Sequence, residues 1–332
     1  MIHSKKIVII IGSIVCLLLA VLGSLAFGAR YVDIHEVFNV FNNINDGSFN
    51  TIVVKERIPR TVFCILAGGS LGVSGSLMQA VTRNPIADPS ILGVNTGASL
   101  FVVSGIAFFQ ISTASEYIWF ALAGAAITAV FVYGIGSLGS GGATPIKLAL
   151  AGAATSAALS SLVSAIVLPR ENVLNSFRFW QVGSVSGATW EGIATVLPFL
   201  IVGIVIGFIA APALNAMALG DDMAVGLGVR TGVVRILAAL AGVLLCGATT
   251  ALAGPIGFVG LMVPHIVRLI CGPDLRYVIP MSAVGGAILL TVADVIGRLI
   301  GYPGELEAGI VTAFIGAPIL VFIAMREKVG SI

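Results

Sequence analysis

Charge is what this sequence has least of. Only 10% of its 332 residues are Asp, Glu, Lys or Arg, against 58% that are hydrophobic. A domain that faces water on all sides carries roughly a quarter charged residues, so a soluble globule of this length is excluded. No G-x-x-x-x-G-K-[ST] loop occurs, so any use of ATP requires a second chain. The four cysteines, Cys16, Cys64, Cys246 and Cys271, have no CxxC spacing and lie in or beside apolar stretches, where they read as small packing residues. His3, His35 and His265 stand alone, and no His, Cys, Asp or Glu set has metal-ligand or acid–base spacing. No catalytic residue, metal site or bound cofactor is therefore expected on this chain. Basic runs that would serve nucleic acid are also missing; Lys5-Lys6 is the flank of a membrane segment.

What is abundant is apolar length. A helix needs about 20 apolar residues to cross the hydrocarbon, and nine stretches qualify or nearly do: 7–29, 61–82, 89–115, 117–146, 148–169, 192–220, 236–264, 277–293 and 308–325. A further segment, 257–271, is ambiguous because it contains His265 and Arg268. The first stretch reads either as a span or as a signal peptide with Ala26-Phe27-Gly28 as its small-x-small site. Its length and the spans that follow favour a span. Placing Lys/Arg on the inner side prefers ten helices to nine, with 257–271 as a short helix and both termini cytoplasmic. The expectation is an all-α, multi-pass protein with about ten transmembrane helices, residues 1–332 forming one domain. Forty-one glycines suit helices that approach closely in lipid.

Two pattern matches fail on context. Gly68-Gly69-Ser70-Leu71-Gly72 fits the GxSxG nucleophile pattern, but lies mid-span where no strand–turn–helix is possible. Gly134–Gly139 fits GxGxxG at the end of a span, with no preceding strand. Asp294 is the carboxylate inside an apolar span, a position used in proton relays. Arg298 follows one helical turn later, so a structural ion pair is the favoured reading.

Other features point outward. Arg57 and Arg60 sit at the outer end of the second span, either as snorkelling side chains or as positive charge needed by something external. Arg83-Asn84-Pro85-Ile86-Ala87-Asp88-Pro89 breaks the chain between two spans. The cytoplasmic loop at about 212–231 contains Leu219-Gly220-Asp221-Asp222-Met223-Ala224-Val225-Gly226-Leu227-Gly228. It reads as two short helices meeting at a glycine, shaped to enter a partner's groove, or as an ordinary connector.

In these segments the chain resembles the FecCD-type permeases, importers of ferric siderophores, haem and cobalamin. The matching residues are Arg57-Ile58-Pro59-Arg60, Gly75–Gln79 with Asn84–Pro89, Leu219–Gly228, Gly254–Leu261 with Val263–Arg268, Asp294–Arg298 and Gly309–Pro318. The resemblance implies the cobalamin/siderophore-importer permease fold, in the cytoplasmic membrane. It implies a second permease subunit, identical or related, a cytoplasmic ABC ATPase dimer, an extracytoplasmic substrate-binding protein, and a ferric siderophore as cargo. Leu219, Gly220, Asp221, Asp222, Ala224, Gly226, Leu227 and Gly228 would couple to the ATPase. Arg57, Arg60 and Arg298 would dock the binding protein, and Thr144 and Pro145 would belong to the cytoplasmic gate. The chain departs from the family at Glu305-Leu306-Glu307, where Glu-Leu-Pro is frequent, and in the single hydroxyl of Ala143-Thr144-Pro145-Ile146. Haem or cobalamin as cargo, and an ion-coupled carrier built on Asp294, are the competing readings.

Overall fold

A computed structural model describes residues 2–28, 30–42, 49–138 and 144–327. Lys328 and part of the Gly134–Gly139 run lie outside the described residues. Thirteen α-helices follow one another in the described chain. They are α1 (Ile2–Ala26), α2 (Ile34–Phe41), α3 (Phe49–Thr82), α4 (Val94–Ser104), α5 (Ala114–Gly136), α6 (Pro145–Val167) and α7 (Glu171–Gln181). The remainder are α8 (Trp190–Met217), α9 (Asp221–Gly226), α10 (Thr231–Ala253), α11 (Val259–Cys271), α12 (Leu275–Ile300) and α13 (Ala308–Glu327). Seven of these, α1, α3, α5, α6, α8, α10 and α12, are long and apolar enough to cross a membrane. Three shorter apolar helices, α4, α11 and α13, join them among the described residues, in line with an expectation of about ten.

The sequence misjudged several boundaries for local reasons. The second span begins at Phe49 rather than Thr61, so Arg57, Pro59 and Arg60 lie inside a helix of 34 residues. The third is shorter than its apolar run. Asp88 caps a 3-10 turn at Pro89–Leu92, Gly93 takes a left-handed conformation (φ 71°), and only then does α4 begin. Ile91 of that turn presses its carbonyl against Gly152 on α6, where a Cβ would collide with it. The segment before α4 therefore packs against the side of α6, seven residues into that helix, and α4 itself runs on into a π-helical stretch, Gly105–Phe109. The two amphipathic helices α2 and α7 have too few apolar residues to register as spans. The loop 212–231 holds one short helix, α9, and not the expected two. Gly220 (φ 113°) and Gly228 (φ 82°) bend the chain on either side, and Thr231 already starts α10.

α3 is the axis of the bundle: 83% of its apolar window is buried, against 6% for α1. Small residues make this possible. Gly68 and Gly72 lie against the backbone of Gly286 and Ser282 on α12, and Gly75 against Gly260 on α11. Any side chain at these glycines would push the helices apart. In lipid, where apolar side chains gain little by leaving the surrounding tails, such close backbone approach is a main source of helix association. The GxSxG look-alike at Gly68–Gly72 is thus a packing seam.

Candidate functional site

Two polar assemblies lie at opposite ends of α3. Twenty-six residues separate Arg57 from Arg83, about 39 Å along a helix, which exceeds a hydrocarbon core of about 30 Å.

At the Arg57 end, the last carbonyls of α1 have no helical partner, and two arginines supply one. The Arg57 guanidinium donates to the carbonyls of Leu25 (2.8 Å), Ala26 (3.1 Å) and Arg30 (2.6 Å). Arg298 donates to the carbonyls of Ser24 (3.0 Å) and Phe27 (3.2 Å) and to the Ser24 hydroxyl (2.8 Å). Cations at a helix C-terminus also meet the negative end of its dipole. Gly28 is required here, because a Cβ would come within 2.5 Å of the Arg57 guanidinium.

Asp294, 1% exposed, is the hub of this end. Arg60 binds it through both Nε (3.0 Å) and an Nη (2.7 Å), and Arg298 binds its other oxygen at 2.9 Å. Arg60 also reaches Glu305 at 2.7 Å. The expected Asp294–Arg298 pair is present, with Arg60 as a third member that spacing could not disclose. A carboxylate held by two guanidinium groups is poorly placed to shuttle protons. An open cavity of about 470 Å³ adjoins the cluster, lined by Arg30, Glu56, Arg57, Arg60, Arg298 and Glu305 among others.

At the Arg83 end, Asp221 is the organising carboxylate. It begins α9, and it pairs with Arg83 at 2.6 Å and with Arg235 on the first turns of α10 at 3.2 Å. Arg83 also donates to the Met217 carbonyl at the end of α8 (2.7 Å). Three long helices thereby converge on one short one. Some burial disfavours the Asp221 charge, but Arg235 and then Arg83 outweigh it and hold the carboxyl below the usual carboxylate range. Ala224 is the buried contact of α9, while Leu219, Met223, Val225 and Leu227 are each at least 60% exposed. Gly226 has open space around it. Apolar side chains displayed on a polar-capped loop beyond the spans are the mark of a surface made to be covered.

The model of the FecCD transport family matches residues 16–326. The chain belongs to the FecCD transport family. It is 45% identical over 284 residues to the Fe(3+)-citrate import system permease protein YfmD of Bacillus subtilis (strain 168), covering 85% of this chain and 84% of that one. It is 42% identical over 320 residues to the ferric enterobactin transport system permease protein FepD of Escherichia coli (strain K12), covering 96% and 95%. Its fold is that of a solved metal-chelate type ABC transporter in an inward-facing conformation, with TM-score 0.84 at 24% identity over 98% of this chain and 100% of that one. As a FecCD permease it is a multi-pass membrane protein of the ABC importer class, which works with ATPase and substrate-binding partners.

The other expected site residues of this FecCD permease are less distinctive. Thr144 caps α6, its hydroxyl accepting from the Lys147 amide (3.4 Å), and Pro145 occupies the first turn, where its missing N–H costs nothing. The residues that spacing alone did not reveal are Arg83 and Arg235, which hold Asp221, and the Gln79–Arg268 pair. Gln79 on α3 donates to the Leu261 carbonyl (3.1 Å) and accepts from Arg268, tying α11 to the axis. A polar cavity of about 370 Å³ opens between α4, α6 and α7, lined by Asn95, Thr96, Ser99, Ser160, Ser164 and Gln181 together with apolar residues. No charged residue lines it.

Proposed function

We propose that this chain is the membrane-spanning permease subunit of an ATP-driven, binding-protein-dependent importer that moves a ferric siderophore across the cytoplasmic membrane. The observation that carries the reading is α9, a short helix with exposed apolar side chains, fixed by two partly exposed arginines at one end of the axis helix. Leu219, Gly220, Asp221, Asp222, Ala224, Gly226, Leu227 and Gly228 form the coupling surface that an ATPase dimer would grip. Asp221 and Ala224 hold the surface in place, while Leu219, Met223 and Leu227 meet the partner. Both termini then lie on the cytoplasmic side, with Thr144 and Pro145 near the inner gate.

At the other end Arg57, Arg60 and Arg298 form the dock for a substrate-binding protein. Arg60 is its contact group, the exposed Glu305 sits at its rim, and the two deeper arginines shape it. Charge pairs of this kind set encounter rate and orientation more than affinity. ATP binding shifts the permease between two accessible states, and each partner acts through its different affinity for them. The cargo class rests on relatives named for ferric enterobactin and ferric citrate, so the site has to pass a bulky oxygen-rich iron chelate. The uncharged lining of the cavity between α4, α6 and α7 suits cargo that must bind weakly enough to leave.

Uptake of iron-55 bound to catecholate, hydroxamate or citrate chelators, measured in cells carrying this chain, tests the reading. Gly226→Arg places a long side chain into open space on α9, so it should abolish uptake and ATPase co-purification while the permease remains folded. Full uptake in that variant would remove α9 from the mechanism, and no uptake of any ferric chelate by the unaltered chain would overturn the cargo.

A further inference from the structure

An apolar groove runs down the outside of the bundle between α1, α11 and α12. Its cavity is about 340 Å³, and its walls include Ile9, Ile266, Met281, Ile288 and Val292. The polar side chain among the lining residues is Ser13, whose hydroxyl is turned back to the Ile10 carbonyl at 2.8 Å. Gly285 gives the groove its depth: a Cβ there would come 2.9 Å from the Val263 side chain on the opposite wall.

Length and charge say what the groove holds. From Met281 to Val292 the wall on α12 runs eleven residues, about 16 Å at the helical rise. Half of a hydrocarbon core of about 30 Å is about 15 Å, so the groove spans one leaflet and no more. Below it, one turn before Met281, the Lys6 ammonium lies 3.6 Å from the centre of the Tyr277 ring. Arg276 is exposed beside it. The nearby carboxylate, Asp274, is engaged by Asn215 (2.6 Å) and by the Arg276 amide (3.0 Å). These bonds, together with the Arg276 and Lys6 charges, outweigh partial burial and keep its carboxyl below the usual range. The other cation on this face, Arg268, is turned inward to Gln79. An apolar trough one leaflet long thus ends in two cations at the headgroup level.

We infer that this groove is a binding site for one anionic phospholipid, with an acyl chain between α1 and α12 and the headgroup phosphate at Lys6 and Arg276. Basic pockets between spans on the cytoplasmic side recognise such headgroups. The lipid would seal α1, which has little buried surface of its own, onto the rest of the bundle.

Native mass spectrometry of the full chain released from nanodiscs of palmitoyl-oleoyl phosphatidylglycerol or phosphatidylcholine tests this. The unaltered chain should retain one phosphatidylglycerol, in preference to phosphatidylcholine by about fivefold for each cation. Lys6→Gln with Arg276→Gln, both outside the packed core, should equalise the two lipids. Ile288→Trp should fill the groove and lose the adduct, with the circular dichroism spectrum unchanged. Equal retention of both lipids by the unaltered chain would overturn the inference, as would an undiminished adduct in Ile288→Trp. A disulfide formed between two copies carrying Ile288→Cys would also overturn it, by showing that the groove is a seam between subunits.

Discussion

At the Arg57 end of α3, three arginines and an aspartate are almost withdrawn from solvent and satisfy one another or the carbonyls of α1. At the Arg83 end, two arginines and an aspartate are partly exposed, and what they support is an apolar surface left bare. The Arg57-end cluster uses charge to close the structure, and the Arg83-end cluster uses charge to hold something open. Electrostatics explains the asymmetry. In the low-dielectric bundle an unpaired ion costs several kcal/mol, so the buried cluster draws most of its partners, carboxylate and carbonyls, from within the chain. Near water the pairs are worth little as energy, and their value is to fix the direction in which α9 presents Met223 and Leu227.

The sharpest way to break that contrast is to remove the hub from each end. Asp294→Asn keeps the shape but leaves Arg60 and Arg298 without their shared anion at a site where Asp294 is 1% exposed. The cost should be about 3–5 kcal/mol, read as a large fall in the thermal midpoint of the purified permease and in the amount inserted. Asp221→Asn removes the corresponding charge at the other end. Its pairs are 43–45% exposed on the Arg83 side, so the stability change should stay below about 1 kcal/mol. Uptake should nevertheless fall by an order of magnitude as α9 loses its anchor. Equal thermal penalties for the two substitutions would show that both ends are built alike.

A polytopic helical protein was legible because uncharged runs of about 20 residues have few other uses, and the short helix at 257–271 was legible only through the placement of Lys and Arg. The Asp294–Arg298 pair was legible because both residues share one helix and a spacing of four. Arg60 as the third member, and Arg83 and Arg235 around Asp221, were not. Each lies on a different element from its partner, and Arg60 is separated from Asp294 by 234 positions in sequence. The early start of α3 was hidden for another reason. Lys55, Glu56, Arg57 and Arg60 look like a boundary, yet Arg57 and Arg60 turn inward to partners on other elements, so the helix passes through them. The resemblance marked Arg57, Arg60 and Arg298 as a group facing a partner; it did not show that two of them are already occupied by the end of α1.

The smallest expected effect tests the one contact at the Arg57 end that resembles those at the Arg83 end. Glu305 is 36% exposed and binds the free edge of the Arg60 guanidinium, while Asp294 holds the other edge. If the Arg57-end cluster stands without it, Glu305→Gln should lower stability by no more than about 1 kcal/mol, well short of Asp294→Asn. The same substitution leaves an Arg60 edge open toward the cavity and removes a negative charge from its rim. An acidic partner should then associate faster, with the gain fading as salt screens it over a Debye length of about 8 Å. Surface plasmon resonance of a substrate-binding protein on the permease in nanodiscs, at two ionic strengths, reads both changes. A faster, salt-sensitive association with unchanged stability would place Arg60 on the docking surface. Unchanged association would mean that all three arginines serve the fold alone, and that the Arg57 end, unlike the Arg83 end, keeps its charge to itself.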